Sequence, residues 1–249
     1  MLASALVAQN ASSTEGSAGS ESTLEPRYLI DMPTAGMLSK GSFSLDIDFY
    51  QEGGVLLALG VGIIDRLSIG ISYGGSKLIG SESPVMNDLP GANVKLRIIE
   101  ESIIFPAIAI GFDSQGKDGY LRSLDRYKIK SPGLYAVASK NYLLAGYFSI
   151  HGGINYSFER ADGDKDANVF AGVEKTIGPF VSIMMEYNLA SNDSDGRSLG
   201  RGRGYLNAGL KWSIGGGLTL GVNLKDLAKN AGNVSVGNRT VRIEYVKPF

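Results

Sequence analysis

The 249-residue sequence contains no cysteine, one histidine, one tryptophan and no long apolar stretch. The absence of cysteine excludes disulfides and thiolate metal sites. A transmembrane helix needs about 20 consecutive apolar residues, and the longest comparable stretch, Gly54 to Ile64, is much shorter and rich in glycine. With a net charge of −1, the chain also lacks the basic excess typical of nucleic-acid binding. A membrane protein built from helices is therefore excluded, whereas one built from strands is not.

Apolar and polar residues alternate from Ser42 onward in short segments that turn residues separate. Segment 42–50, for example, places aromatic and aliphatic side chains on one face of a strand and two aspartates on the other. The whole set predicts an all-β fold, a single closed antiparallel transmembrane β-barrel of about 12 strands. The predicted strands are 42–50, 54–64, 67–74, 92–99, 106–114, 133–140, 146–158, 168–175, 180–188, 204–213, 218–225 and 239–249.

The connections between these strands alternate between short turns and long polar loops, apart from a short first turn. This pattern predicts short periplasmic turns and long extracellular loops. Aromatic residues at the strand ends predict two girdles at the membrane interfaces. The predicted girdle at the long-loop end is Tyr50, Tyr73, Phe112, Tyr135, Tyr156, Tyr187 and Tyr205, and that at the short-turn end is Phe105, Tyr142, Phe180, Trp212 and Phe249.

The N-terminal part has a different composition from the barrel region 42–249. Residues 1–8 read as the remnant of a signal peptide, and residues 9–26 are rich in Ser, Gly, Glu and Thr, which predicts disorder. Residues 27–41 are interpreted as a periplasmic lead-in. Because residues 32–36 are too apolar for a free tail, we expect them to pack on the barrel, and a plug is one open alternative.

Charged side chains on the face opposite the apolar one are predicted to line the lumen. Their balanced signs argue against a strongly ion-selective pore. Closure of the barrel should bring strand 239–249 beside strand 42–50, where charges of opposite sign can pair. Either the charges line a narrow channel for small polar solutes, or they form a paired filling in a closed structural barrel. The predicted set is Asp46, Asp48, Lys95, Arg97, Asp113, Lys140, Glu174, Glu186, Lys211, Lys225, Arg242 and Glu244.

Enzymatic and metal sites receive little support from the sequence. His151 and Ser149 share the predicted inward face, which is the minimum for nucleophilic catalysis, but outer-membrane phospholipases use the order His-x-Ser on the lipid side. Segment 162–166 (DGDKD) lacks the glycine and glutamate that an EF-hand places after its acids, so its aspartates are interpreted as solvated. We predict no enzyme, no metal and no cofactor, with a hydrolase as the least favoured alternative.

Three segments resemble YjbH-like outer-membrane proteins, which are associated with exopolysaccharide production. They are 90–97 (PGANVKLR) followed by Glu100 and Glu101, 106–112 (PAIAIGF), and 131–142 (SPGLYAVASKNY), within a region of likeness spanning 33–160. The resemblance implies the outer membrane of a Gram-negative cell envelope and a function related to saccharides, such as solute passage or a scaffold in surface-polysaccharide export.

The final strand also resembles the C-terminal signal that the bacterial barrel-assembly machinery recognises. That machinery, outer-membrane lipid, lipopolysaccharide and polysaccharide are the expected partners. The residues on the shared face of this signal are Val241, Ile243, Tyr245 and Phe249.

Overall fold

The computed structural model of the protein describes residues 16–231 and 238–249. The predicted signal-peptide remnant 1–8 and residues 9–15 lie outside the described part of the chain. Within it, no helix has the length and apolar character to cross a membrane. The strands are β1 (Ser42–Tyr50), β2 (Gly54–Ile64), β3 (Leu67–Ser76), β4 (Val85–Met86), β5 (Gly91–Ile99), β6 (Ala107–Asp113), β7 (Lys117–Leu121), β8 (Arg126–Ile129), β9 (Gly133–Leu143), β10 (Tyr147–Tyr156), β11 (Asn168–Ile177), β12 (Val181–Asn188), β13 (Tyr205–Gly215), β14 (Leu218–Lys225) and β15 (Asn238–Pro248).

Twelve of these strands form one closed antiparallel barrel, as the alternating pattern predicts. The hydrogen-bonded order runs from β1 to β2, β3, β5, β6 and then β9 to β15 in sequence order. The barrel closes because β1 pairs with β15 on its other edge, with Asp46 opposite Glu244 and Asp48 opposite Arg242. Closure leaves no unpaired strand edge around the barrel wall.

The two faces of the wall have opposite chemistry. Aliphatic side chains point outward along most strands, and Ile71 and Ile154 are 62% and 58% exposed. Ser44, Ser182 and Glu186 point inward and are buried. An exposed apolar band of this extent would be unfavourable in water, whereas it matches the lipid-facing surface of a transmembrane barrel.

Three short strands lie outside the barrel wall and were absent from the prediction. β4 extends the edge of β3, and β7 pairs with β8 as a hairpin within the long loop after β6. The hairpin folds over the lumen, where Asp118 forms an ion pair with Lys225 at 3.2 Å. Ion pairs of Lys117 with Asp48 and of Asp118 with Lys225 hold the hairpin on the barrel, and an alternating apolar pattern does not indicate contacts of this kind.

Residues 16–41, which we name the plug segment, run inside the barrel. The prediction of disorder is wrong for residues 16–26. The interpretation of residues 27–41 as a periplasmic lead-in is also wrong, because this stretch enters the lumen. The Ala18 amide donates to Ser213 Oγ at 2.9 Å, and the Gly19 amide donates to Ser182 Oγ at 3.0 Å. A Ser/Gly-rich stretch cannot bury apolar surface by itself, but here the polar lumen wall supplies its hydrogen-bond partners.

The plug segment contacts the short-turn end of the barrel at two points. The Ser20 amide donates to the carbonyl of Gly178 in the turn between β11 and β12, and the Gly41 amide donates to the carbonyl of Gly62 at the end of β2. Between these points the chain rises into the lumen and returns.

Candidate functional site

The plug segment carries a tight hairpin at its highest point in the lumen. The Leu29 amide donates to the Met32 carbonyl at 3.0 Å, and the Thr34 amide donates to the Arg27 carbonyl at 3.1 Å. Leu29 and Ile30 at its tip are each 1% exposed and pack against Met184 of β12. Full burial of one such side chain contributes roughly 1.5–3 kcal/mol, so the tip is anchored by apolar packing.

An apolar patch on the inner wall receives the other side of this hairpin. Met32 and Ala35 of the plug segment join it, and both are nearly fully buried. Inward apolar residues are unusual in a polar lumen, and their position opposite Met32 and Ala35 explains them. The wall residues of the patch are Ala107, Ala109, Tyr135, Val137 and Phe170.

Two charged wall residues bind the backbone of the plug segment. Glu186 of β12 accepts hydrogen bonds from the amides of Ile30, Asp31 and Met32 at 3.0, 3.0 and 2.9 Å. On the opposite side, Lys95 of β5 donates to the carbonyls of Arg27, Thr34 and Gly36 at 3.0–3.2 Å. The two side chains satisfy backbone groups that would otherwise be buried without partners.

Ion pairs attach the plug segment to the strands where the barrel closes. Arg27 donates to both carboxylate oxygens of Asp46, at 2.8 and 3.0 Å, and lies 3.4 Å from Glu244. Beside this group, Arg242 binds Asp48 at 2.5 and 2.9 Å. A guanidinium presents a planar fork of donors that matches a carboxylate, so these pairs fix the plug segment against β1 and β15.

The structure places all but one of the predicted lumen charges on the inner face. Asp113 accepts a bond from the Tyr28 hydroxyl at 3.1 Å, and Lys211 donates to the Tyr28 carbonyl at 2.8 Å. At the short-turn end, Arg97 pairs with Glu25 at 2.5 Å. The inward set is Asp46, Asp48, Lys95, Arg97, Asp113, Glu174, Glu186, Lys211, Lys225, Arg242 and Glu244.

The inward placement of Lys140 is wrong. Lys140 is paired with Ile150, which is 44% exposed on the outer face, while its neighbour Ser139 is buried inside. Its ammonium group extends to the carbonyls of Ser102 and Ile103 in the short turn after β5. The long aliphatic stem thus crosses apolar surface while the charge reaches polar groups.

Three residues of the predicted long-loop girdle face inward instead. Tyr50 shares the inner face of β1 with Asp48. Tyr135 is 5% exposed within the inner apolar patch, and Tyr205 is 3% exposed with its hydroxyl donating to Asp193 at 2.6 Å. Position at a strand end does not determine the face, because strand parity does. The girdle residues that lie outward or in exposed turns are Tyr73, Phe112, Tyr156, Tyr187, Phe105, Tyr142, Phe180, Trp212 and Phe249.

A buried ion cluster joins three long loops above the lumen. Arg126 of β8 has no exposed surface and binds Asp162 at 2.6 Å and Asp193 at 2.5 Å. Lys130 also binds Asp162, at 2.8 Å. The interpretation of the 162–166 acids as solvated is therefore wrong for Asp162 and for Asp164, which accepts the Ser194 amide at 2.9 Å. Arg126 and Lys130 come from the loop between β6 and β9, which is distant in sequence, and they pair with Asp162 in place of water.

Cavities lie on both sides of the plug segment. At the long-loop end, a cavity of about 470 Å³ is floored by Asp31 and Asn207. At the short-turn end, a cavity of about 250 Å³ lies beside Glu25 and Arg97. A crevice of about 60 Å³ separates Tyr28 from the wall near Gly60 and Gly70. The crevice has room for a few water molecules, but a sugar ring would not pass.

His151 and Ser149 both face inward, yet they do not form a dyad. The His151 Nδ1 atom lies 2.8 Å from Ser139 Oγ, while the Ser149 hydroxyl donates to Asn141 at 2.5 Å. Ser139 Oγ also accepts the Ala35 amide at 2.9 Å. His151 is 4% exposed and contacts the plug segment only through Ser139 among the contacts seen in the described residues.

The comparisons with known proteins agree with this architecture. The YjbH family model, described as exopolysaccharide biosynthesis protein YbjH, matches residues 27–121. This range contains segments 90–97 and 106–112, whereas segment 131–142 lies beyond it. The chain is an outer-membrane β-barrel that resembles the YjbH family. The match begins at Arg27, so it includes the hairpin of the plug segment as well as the first strands of this outer-membrane barrel.

A solved porin structure shares the fold. A KdgM porin in complex with disordered oligogalacturonate has a TM-score of 0.50 and 12% sequence identity, covering 84% of this chain and 99% of that chain. A NanC porin has a TM-score of 0.48 and 9% identity, covering 83% and 99%. No curated protein matches the chain. At 12% identity the likeness to the KdgM porin concerns the barrel fold alone.

Proposed function

We propose that this outer-membrane barrel is a channel for short saccharides whose plug segment must move before a saccharide can pass. The observation that carries the proposal is the position of the plug segment between two cavities that open toward opposite ends of the lumen. The description of the YjbH family supports saccharides as the solute class. The polar inner wall, rich in serine and glycine, supports passage once the segment is displaced.

The plug segment is held by contacts that can reverse. Hydrogen bonds to Glu186 and Lys95 and ion pairs of Arg27 are noncovalent, and the wall can rebind the same backbone groups after each opening. A closed structural barrel in surface-polysaccharide export is the second candidate. The apolar patch around Met32 favours it, because burial of this patch stabilises the occupied lumen.

The cysteine-free chain allows a direct test. In the variant Ala35→Cys/Ser139→Cys, the two cysteines replace residues joined by a 2.9 Å hydrogen bond between plug segment and wall. We expect the oxidised variant to give no conductance steps in planar bilayers and no swelling of liposomes in cellotriose. Reduction should restore both to at least the level of the wild type, because Ser139→Cys removes the hydroxyl that accepts the Ala35 amide. The single-cysteine variants under the same oxidant are the matched controls.

Silence of the wild type and of the reduced variant across all voltages, without cellotriose uptake, would establish the structural barrel instead. Equal conductance of the oxidised and reduced forms, with the cross-link verified by gel mobility, would refute passage past the plug segment.

We also propose that the protein is not an enzyme and that the outward aromatic residues mark the membrane interfaces. The contact between Ser139 and the plug segment supports the first point, because it occupies the hydroxyl nearest His151. For the second, Trp212 and Phe249 are exposed at the short-turn end, where lipid headgroups suit aromatic rings. The last-strand residues Val241, Ile243, Tyr245 and Phe249 remain the proposed signal for the barrel-assembly machinery, with lipopolysaccharide as the lipid partner at the long-loop end.

A further inference from the structure

The cavity at the long-loop end, which we name the vestibule, has the composition of a ligand site. Its volume of about 470 Å³ lies within the range of about 300–1,000 Å³ that small-molecule sites occupy. Tyr50 and Tyr205 contribute ring surface, and Leu121, Ile129 and Leu199 contribute aliphatic surface. Amides and carboxylates lie between these apolar groups. A pyranose ring, with apolar C–H faces and a rim of hydroxyls, complements such a mixture.

One buried polar group in the vestibule wall, on Asn238, lacks a partner among the described residues. Asn238 is 5% exposed, and its Nδ2 donates to Asp118 at 3.2 Å. Its Oδ1 has no hydrogen-bond partner among residues 16–231 and 238–249. A buried acceptor left unpaired is costly, and a hydroxyl donor from a ligand in the vestibule would satisfy it.

The charges of the vestibule disfavour an anionic ligand. Four carboxylates line it against two ammonium groups. Both cations are already paired: Lys225 binds Asp31 at 2.9 Å and Asp118 at 3.2 Å, and Lys128 binds Glu52 at 2.7 Å. The sequence of residues 232–237 adds no charged side chain. A uronate carboxylate would therefore enter a site of like charge without a free cation to bind it.

We propose that the vestibule binds a short saccharide that carries no net negative charge. The inference rests on the proposed function, since it names the saccharide class that reaches the plug segment. Tyr50 supplies a stacking surface, Asn238 accepts a hydroxyl, and the excess of carboxylates over ammonium groups excludes acidic sugars. The site lies directly above Asp31, so an occupied vestibule contacts the tip of the plug segment.

Binding can be measured without any transport. Isothermal titration of the full chain in detergent would use three probes: cellotriose, the amine-bearing chitosan trisaccharide and trigalacturonate. We expect cellotriose to bind and trigalacturonate to bind at least tenfold more weakly. Tyr50→Ala and Asn238→Ala should each lower cellotriose affinity by about tenfold or more. Tyr142→Ala and Asn141→Ala, at the short-turn end, are the matched controls and should bind as the wild type does.

A charge reversal tests the selectivity separately. Glu52 is half exposed at the rim, so Glu52→Lys should fold normally and should narrow the difference between cellotriose and trigalacturonate. Stronger binding of trigalacturonate than of cellotriose by the wild type would overturn the proposal. Absence of binding by all three probes, in protein that conducts when its plug segment is released, would overturn it while leaving the channel intact. Binding with the expected variant pattern in protein that never conducts would instead remove the proposed channel and keep the site.

Discussion

Replacing Glu186 by alanine should release the plug segment. The Glu186 carboxylate accepts three buried backbone amides, those of Ile30, Asp31 and Met32. A hydrogen bond to a charged group contributes about 1.5–3 kcal/mol. Because the three bonds share one carboxylate and are not additive, we expect a loss of about 3 kcal/mol for the docked state. At about 1.4 kcal/mol per factor of ten, the ratio of docked to released segment falls about 100-fold.

Two measurements read this shift. The fraction of time that single channels stay open in a planar bilayer should rise by about two orders of magnitude, and hydrogen exchange at the amides of residues 30–32 should accelerate to a similar extent. Glu174→Ala is the matched control, because Glu174 is an inward glutamate of the neighbouring strand β11 for which no hydrogen bond to described residues of the plug segment is seen. Unchanged exchange in Glu186→Ala would refute the role of the carboxylate. Rapid exchange without any conductance would show that the segment leaves its site but that the lumen still does not conduct.

Three further variants test separate parts of the structure. Arg126→Met removes the buried cation between Asp162 and Asp193, so the loops should lose about 3–5 kcal/mol of stability and should be cut by protease far faster. Lys128→Met, at the exposed rim, is the control. Burial raises the pKa of Glu159 in the loop after β10, so the stability that Glu159 contributes is greatest at low pH and falls as the pH rises through that pKa. Protease resistance of the loops should therefore be higher at pH 5 than at pH 8. Glu159→Gln should reduce this difference. Lys140→Leu should leave conductance unchanged, since Lys140 lies on the outer face. Altered conductance would contradict this outward placement.

Alternation in the sequence was sufficient for the barrel wall because lipid and lumen impose opposite polarity on successive residues. In β12, for example, Ile183, Met185 and Tyr187 face outward between inward polar side chains. Strand β9 lacks this contrast: Leu134 and Ala136 lie outside, whereas Tyr135 and Val137 lie inside against the plug segment. The error at Lys140 and the error at Tyr135 have this common origin.

The position of the plug segment in the lumen could not be predicted from the sequence, for a different reason. Residues 16–26 carry no periodic apolar face, and their order depends on Ser182, Ser213 and other wall groups that come from distant parts of the chain. The apolar stretch at 32–36 did indicate packing somewhere on the barrel. Its partner surface became visible only when strands β6, β9 and β11 were brought side by side.

The return of the plug segment to the short-turn end affects how the molecule can assemble. Since residues 20 and 41 are both hydrogen-bonded at that end, the stretch between them enters the barrel and leaves it through the same opening. The strand pairings of the wall do not involve this stretch, so it can enter a closed wall or withdraw from it without breaking any strand pairing. The plug segment and the barrel wall can therefore separate without breaking the strand pairing of the wall, although they belong to one polypeptide.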